Sequence, residues 1–170
     1  MTIPNEIPNE IPNEIPDEIP DEIGDAVAAL LRRERTATLA TLDAGGTPHA
    51  ADVWFAAEGL CPVWASRPEA AHSRHIERDG RVALTVHAPE DRPERIHGVQ
   101  MHARAAPVAT EAVRALYQAR FPFVRPGWAG REDPLAGQRF YRAEPCWIRW
   151  IDNRVRFGHR REWGTPFEKL

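Results

Sequence analysis

The segment from Ser66 to His75 concentrates side chains that suit the binding of an anion. It reads SRPEAAHSRH and holds hydroxyl, guanidinium and imidazole groups. Backbone N–H groups at a helix N-terminus and nearby cations attract phosphate. Ser66 and Arg67 lie at the end of a predicted strand, and His72 lies one turn into the predicted helix that follows, with Ser73 beside it. The pattern is typical of a phosphate site, but a solvated helix face has the same composition.

Other kinds of catalytic or metal site find little support in the residues. His72 and His75, at i and i+3, can be two ligands of a metal ion, but no third ligand has a defined spacing, so we predict no metal site. The sequence contains no Ser-His-Asp triad, P-loop, HExxH motif or pair of catalytic carboxylates. Cys61 and Cys146 match no zinc spacing and are expected to be reduced.

An acidic repeat occupies the N-terminal region. Residues 3–22 are five tetrads, IPNE three times and then IPDE twice. Proline at every fourth position prevents an α-helix and disfavours a paired strand, so we predict a disordered, extended tail over residues 1–23. An acidic N-terminus with no apolar segment does not resemble a secretory signal, and no apolar run approaches the ~20 residues of a membrane span. We therefore expect a cytoplasmic protein.

The net charge of −3 hides a difference between the two parts of the chain. Eight of the 25 acidic residues lie within residues 1–25, which contain no Lys or Arg. The rest of the chain therefore has 17 acidic against 22 basic residues. A mildly basic body suits a phosphorylated ligand, but it is too weak to indicate nucleic acid by itself.

Alternating apolar and polar residues, separated by turn residues, predict one antiparallel β domain over residues 24–170. The predicted strands are 36–42, 47–56, 60–65, 81–87, 95–108, 140–151 and 154–163, and the predicted helices are 25–35, 68–78 and 110–120. Six or seven strands with hairpin signals favour a mainly β fold, a β-barrel with peripheral helices. Closure of a barrel removes the exposed edges that a small antiparallel sheet would otherwise keep.

Three segments together resemble the pyridoxamine 5′-phosphate oxidase-like, FMN-binding split-barrel superfamily. They are ATLATLDAGGTPHAADVWF, then VWAS with AHSRHIERDGRVALTV, and IHGVQMHARAAPV followed by a helix and RFP. The C-terminal WIRWIDNRVRFGHRREW is similar to a narrower group, the uncharacterised YhbP-like proteins. The resemblance covers residues 26–165 and depends on the order and spacing of the motifs.

The resemblance implies a homodimer of six-stranded split barrels with FMN at the subunit interface. Carried over by position, it implies that the following residues bind the cofactor: Trp64, Ala65, Ser66, Arg67, His72, Ser73, Gln100, Trp150 and Trp163. His72 falls where relatives have a phosphate-binding Lys or His, and Gln100 is expected to face the flavin ring. Trp150 and Trp163 are expected to cover the flavin of the other subunit.

Three alanines stand where the resemblance implies phosphate-binding cations. The oxidase members have an Arg and a Lys on the strand after the hairpin, and the matching positions here are Ala51 and Ala56. Ala71 replaces a further Arg. Each charge-assisted hydrogen bond is worth about 1.5–3 kcal/mol, so strong FMN binding would require Arg67 or Arg74 to substitute. No site for a substrate phosphate is evident either, so we do not expect the oxidation of vitamin B6.

The C-terminal arm, residues 147–163, interleaves arginines with aromatic residues. This composition can bind single-stranded nucleic acid. A strand that buries its aromatic residues and exposes its arginines explains the pattern equally well, and contact with a flavin or a second subunit is a third interpretation. We favour the strand and do not expect nucleic acid as a partner.

The sequence therefore predicts a split-barrel homodimer that binds FMN and acts as a flavin-dependent oxidoreductase on a small molecule. It indicates neither the catalytic residues nor the substrate. Two other hypotheses stay open. One is a non-enzymatic protein that binds FMN or haem, and the other is a barrel that has lost its cofactor.

Overall fold

The computed structural model describes residues 19–167. The predicted disordered tail, residues 1–23, lies outside the described residues except for its last five. The helices and strands are α1 (Asp21–Arg33), β1 (Thr36–Leu42), β2 (Pro48–Glu58), β3 (Cys61–Ser66), α2 (Ala71–Arg78), β4 (Arg81–His87), β5 (His97–Val108), α3 (Glu111–Arg120), β6 (Arg139–Asp152) and β7 (Arg160–Gly164). Short 3-10 helices lie at Pro93–Arg95, Pro122–Val124 and Trp128–Gly130.

Six antiparallel strands close into a barrel, which confirms the predicted mainly β fold. The strand order is β3-β2-β1-β4-β5-β6, and pairing of β3 with β6 closes the ring. One edge of β6 pairs with β5 along its whole length. Its other edge pairs first with β3, through residues 139–142, and then with β7, through residues 147–151. The seventh strand therefore lies outside the ring.

The first helix begins at Asp21, four residues before the predicted N-cap Asp25. The prediction failed because Pro20 is the last proline of the repeat. Its carbonyl accepts the first hydrogen bonds of the helix, from Ile23 and Gly24. No residue of α1 is a proline, so each has an N–H group that can donate within the helix. Three buried side chains spaced i, i+3 and i+4 fix α1 against the barrel: Val27, Leu30 and Leu31.

The second helix begins at Ala71, three residues after the predicted start at Pro68. Residues 67–70 form a turn in which the Ala70 N–H donates to the Arg67 carbonyl at 3.0 Å. This turn separates Ser66 from the helix. The third helix has the predicted cap, since the Thr110 hydroxyl accepts from the Val113 N–H at 3.2 Å.

The last predicted strand is shorter than expected. Residues 154–159 form a turn after β6, and β7 begins only at Arg160. The turn is fixed by Asp152, whose carboxylate accepts hydrogen bonds from the backbone N–H and the guanidinium of Arg154. Satisfying Asp152 locally competes with extension of the strand.

Two apolar cores support the barrel. The main core fills its interior and includes the buried face of α1. A smaller core lies between α3 and the outer faces of β2 and β3, and includes Ala56, Val63, Tyr117 and Phe121. Among residues 19–167, no helix is long and apolar enough to cross a bilayer.

Candidate functional site

Ser66 and His72 meet at the junction of β3 and α2. The Ser66 hydroxyl lies 2.7 Å from Nε2 of His72, within hydrogen-bonding distance. Ser66 ends β3 and is 9 % exposed. His72 lies in the first turn of α2, and the intervening turn at residues 67–70 directs it back towards the strand. The structure thus brings together two of the residues that the sequence proposed for one phosphate site.

Two further histidines lie beside this pair. Nδ1 of His75 is 2.9 Å from the Thr41 hydroxyl on β1. The ring of His49, on β2, packs edge-on against the ring of His75 with centroids 5.4 Å apart. We call His49, His72 and His75 the histidine cluster. Three strands and one helix therefore contribute polar side chains to one region at the end of the barrel.

The N-terminus of α2 carries free hydrogen-bond donors. The first residues of a helix have no intrahelical acceptor for their N–H groups, and no side chain caps this helix at Ala70. Ser73 lies in the first turn and is fully buried. Among the described residues, its hydroxyl and Nδ1 of His49 are buried without a hydrogen-bond partner. The donors match those that bind a phosphate group at a helix N-terminus.

The surroundings of His72 determine whether its imidazole ring is protonated. Burial lowers the pKa of His72, and the neighbouring imidazoles of His49 and His75 lower it further. The ring is therefore mainly neutral at neutral pH, with one nitrogen as donor and one as acceptor. It can bind an anion by a hydrogen bond but supplies little charge.

The arginines near His72 differ in whether their guanidinium groups already donate hydrogen bonds within the protein. Arg67 is exposed in the turn between β3 and α2. Arg74 donates to the Glu69 carbonyl in the same turn. Arg78 donates to the Leu42 carbonyl at 2.7 Å and so fixes α2 to the end of β1. Of these three, Arg67 is the one with no hydrogen bond from its guanidinium among the described residues, and it is the candidate substitute for a missing phosphate-binding cation.

An open groove runs over the outer face of β1, β4, β5 and β6, and none of Ser66, Arg67, His72 and Ser73 lines its two cavities. Its larger cavity, of about 410 Å³, is lined by residues including Ala40, Gln100 and Arg149. A second cavity, of about 300 Å³, reaches Thr41, which contacts the histidine cluster. The two share lining residues, and their sizes are those of small-molecule sites.

The C-terminal segment covers part of this groove. The ring of Phe167 stacks on His102 with centroids 5.4 Å apart and an angle of 5° between the planes. The Phe167 N–H also donates to Nδ1 of His102 at 3.3 Å. Burial lowers the pKa of His102, and Arg149 lowers it further. A neutral His102 therefore accepts the backbone bond that holds this segment in place.

The predicted cofactor-binding residues fall into two groups. Ser66, Arg67, His72 and Ser73 lie around the start of α2, and Gln100 lines the groove, where its side-chain oxygen accepts from Arg149 at 3.2 Å. The remaining four lie elsewhere.

Trp64, fully buried, stacks against Tyr141 inside the barrel, and Trp150 is 3 % exposed in the same core. Ala65 packs against the smaller core, and Trp163 on β7 packs against the main core. The indoles of Trp64 and Trp150 thus present almost no surface to a ligand. Side chains two residues apart on a strand lie on the same face, so Trp64 shares the face of Ser66 but lies within the main core of the barrel.

The alanines that stand where phosphate-binding cations are expected lie in different surroundings. Ala56 is 2 % exposed and packs beneath α3, so this position does not face the histidine cluster. Ala51 is partly exposed and lies two residues from His49 on β2, on the same face of the strand. Ala71 is the first residue of α2, directly before His72. Ala51 and Ala71, but not Ala56, therefore mark places where a cation would lie near the candidate phosphate site.

Sequence reasoning missed His49, Thr41, His102 and Phe167. The alternation of Gln100, His102 and Arg104 on β5 was a usable signal for His102. Nothing local marked the other three, because their proximity to the site depends on strand pairing and on the path of the C-terminal segment. Among residues 19–167, no group of three or more His, Cys, Asp or Glu side chains is arranged to hold a metal ion.

Comparison with known proteins gives one match to a family of sequences. The family described as pyridoxamine 5′-phosphate oxidase matches residues 23–148. The narrower resemblance to the YhbP-like group stays a prediction. No curated protein sequence matches the chain significantly.

Several solved structures share the fold. A heme binding protein from Mycobacterium smegmatis is 21 % identical, with a TM-score of 0.68 over 83 % of this chain and 56 % of that one. The heme storage protein HutZ from Vibrio cholerae is 20 % identical, with a TM-score of 0.59 over 71 % and 88 %. A protein of the pyridoxinephosphate oxidase family from Clostridium acetobutylicum is 10 % identical, with a TM-score of 0.61 over 86 % and 96 %. At these identities the likeness concerns the fold alone.

Proposed function

The chain belongs to the pyridoxamine 5′-phosphate oxidase family, and from this premise we propose that it binds FMN and acts as a flavin-dependent oxidoreductase on a small molecule. The observation that carries the proposal is the contact between Ser66 and His72 at the uncapped start of α2. When bound, the flavin would supply the redox chemistry, and the protein would hold and orient it.

The donors around α2 fit the phosphate of FMN. The hydrogen-bonded pair of Ser66 and a neutral His72 has one proton left to donate, and the hydroxyl of Ser73, buried without a partner among the described residues, has another. The first amides of the helix have no intrahelical acceptor. Arg67 is exposed beside them and can approach an anion. The site thus offers several hydrogen-bond donors to a phosphate but few positive charges. We therefore expect weaker binding than in relatives with several cations at the phosphate.

The groove suits a flat ring better than a second phosphate. Ala40 and Ala83 line both of its cavities and leave room above β1 and β4. Because Gln100 uses its oxygen to accept from Arg149, its NH2 group is free to donate to a ring carbonyl. Phe167, stacked on His102, would exclude water from one end of the groove.

Haem is the second candidate, since the histidine cluster offers a neutral imidazole nitrogen of the kind that binds iron. Two proteins of the same fold are described as binding or storing heme. A barrel that has lost its cofactor is the third possibility, because Ala51 and Ala71 stand where cations are expected.

Absorbance spectroscopy of the purified protein distinguishes these functions. Flavin bands, or a rise in melting temperature with added FMN, support the proposal, whereas a Soret band without flavin supports haem. His72→Ala, with exposed His87→Ala as the control, tests the site. A colourless protein whose melting temperature responds neither to FMN nor to haem would contradict both binding functions.

The oligomeric state is part of the proposal, and we expect a homodimer. Val155 and Phe157, on the turn between β6 and β7, are 64 % and 77 % exposed in the single chain. Exposed apolar side chains of this size mark contact surfaces. Light scattering during gel filtration should give twice the chain mass of 19.2 kDa, and Phe157→Glu should reduce it. A single-chain mass for the unmodified protein would contradict the dimer.

A further inference from the structure

An exposed row of aromatic rings lies on the barrel surface beyond the end of α3. Trp54 is 47 % exposed and Trp128 is 50 % exposed. The ring of Phe123 lies between them, with centroids 5.3 Å from Trp54 and 6.2 Å from Trp128. The fully buried Phe121 forms a floor, 5.4 Å from Trp54. We call Trp54, Phe123 and Trp128 the aromatic row.

The backbone holds Trp128 in this exposed position. The three residues Gly127, Ala129 and Gly130 have φ angles of 81°, 51° and 74°. Among the described residues, Ala129 is the one non-glycine residue with a positive φ. A left-handed conformation is costly for alanine and persists where the surrounding structure requires it. Left-handed residues thus lie on both sides of Trp128, whose side chain is half exposed.

Four arginines lie in the segments that adjoin the aromatic row: Arg35, Arg120, Arg125 and Arg131. Among residues 19–167, none of them forms an ion pair with a carboxylate. The acidic residues of the same segments are Glu34, which pairs with Arg33, Asp133, which pairs with Arg114, and Glu132. The surface is thus both aromatic and basic.

Backbone hydrogen bonds connect two of these arginines to the turn that carries Trp128, and the Arg125 guanidinium donates to the Gln118 carbonyl at 2.9 Å. The Trp128 N–H donates to the Arg125 carbonyl at 3.2 Å, and the Gly127 N–H donates to the Arg131 carbonyl at 2.7 Å. The Arg120 guanidinium lies 6.0 Å from the centre of the Phe121 ring. Burial lowers the pKa of Arg120, and the charge of Arg35 lowers it further. Cations that repel one another at a partly desolvated surface favour an anionic partner.

We propose that the aromatic row binds the acidic, proline-rich repeat of the same chain, within residues 3–18. Aromatic grooves bind proline-rich segments in the polyproline II conformation, which the spacing of prolines predicts for the repeat. Residues 1–18 contain five acidic residues and no Lys or Arg, so their charge complements the four arginines. Each tetrad ends in a glutamate, and an isoleucine follows it directly. Apolar and acidic side chains therefore alternate along the repeat.

The geometry allows the repeat to reach the row. The repeat leads into the start of α1, whose 13 residues span about 20 Å. The Arg120 guanidinium donates to the carbonyls of Arg33 and Glu34, so the basic surface adjoins the C-terminal end of this helix. Eighteen residues of polyproline II span about 55 Å, well beyond that distance. With three residues per turn, each proline and the isoleucine three residues later lie on one face of the helix, about 9 Å apart, which is within the length of the row.

The inference does not depend on the proposed function, because neither the row nor the repeat includes a residue of the histidine cluster. Photo-crosslinking in the full chain tests it. Benzoylphenylalanine replaces Ile11, the protein is irradiated at low salt, and mass spectrometry identifies the linked peptides. We expect crosslinks to residues 121–131 in a band of single-chain mass on a denaturing gel.

Charge reversal provides the matched comparison. The double variant Arg125→Glu, Arg131→Glu should reduce the crosslink at least about fivefold, as should about 0.5 M salt. The control Arg160→Glu, Arg161→Glu alters two exposed arginines on β7 and should leave it unchanged. A crosslink in a band of twice the mass, a crosslink to another surface or the absence of any crosslink would each overturn the proposal.

Discussion

The hydroxyl of Ser66 lies 2.7 Å from Nε2 of His72, although a turn and the start of a helix separate the two residues in sequence. The contact joins the end of β3 to the first turn of α2. It places a hydroxyl and a neutral imidazole beside the free amides of the helix. This junction is where the proposed function is most directly tested.

The first prediction concerns His72 and the affinity for FMN. His72→Ala removes one hydrogen bond to the phosphate and leaves Ser66 unpaired, so we expect the dissociation constant to rise about tenfold. Fluorescence titration with FMN measures it. His87→Ala, an exposed histidine outside the cluster, serves as the control. Equal affinities for the two variants would contradict the placement of the phosphate.

The second prediction concerns the pH dependence of stability. The pKa of His72 in the folded protein is below its ordinary value of 6.5, so the unfolded chain binds a proton there more readily. The free energy of unfolding should therefore fall as the pH decreases through 6.5 towards the folded pKa.

His72→Gln removes this contribution, so the loss of stability on acidification should be smaller than in the unmodified protein. Urea denaturation between about pH 7.5 and 5 measures both profiles, with His87→Gln as the control. Parallel profiles for His72→Gln and the unmodified protein would show that burial of His72 does not disfavour its protonation.

The third prediction restores a cation at Ala51. This partly exposed position lies on the same face of β2 as His49, so an arginine there can extend to the candidate phosphate site. One charge-assisted bond is worth about 1.5–3 kcal/mol, and Ala51→Arg should therefore tighten FMN binding about 10- to 100-fold. Ala50→Arg, on the opposite, exposed face of the same strand, should have little effect. A similar gain in both variants would indicate nonspecific attraction.

The fourth prediction concerns Ala56, where the resemblance implied a second cation. Ala56 is 2 % exposed between β2 and α3, so Ala56→Lys would bury an unpaired charge. We expect the free energy of unfolding to fall by about 3 kcal/mol or more, measured by urea denaturation. Ala50→Lys should be nearly neutral. An unchanged stability of Ala56→Lys, with tighter FMN binding, would show that this position faces the ligand.

Much of the fold was predictable because its signals are local. Alternating side chains fixed the period of each strand, turn residues marked the hairpins, and β4 was predicted with its observed bounds at Arg81–His87. Helix ends were less predictable, since Pro20 rather than Asp25 precedes α1, and a turn displaces the start of α2 to Ala71.

By itself, the sequence determined the barrel and proposed Ser66 and His72 for one phosphate site, because both lie in one short segment whose elements it specifies. Only the tertiary structure decided that His49 and Thr41 join them, that Ala56 is covered by α3, and that Trp64 is a core residue. A strand's periodicity divides its residues between two faces. Which neighbour covers each face depends on long-range packing, which no local pattern contains.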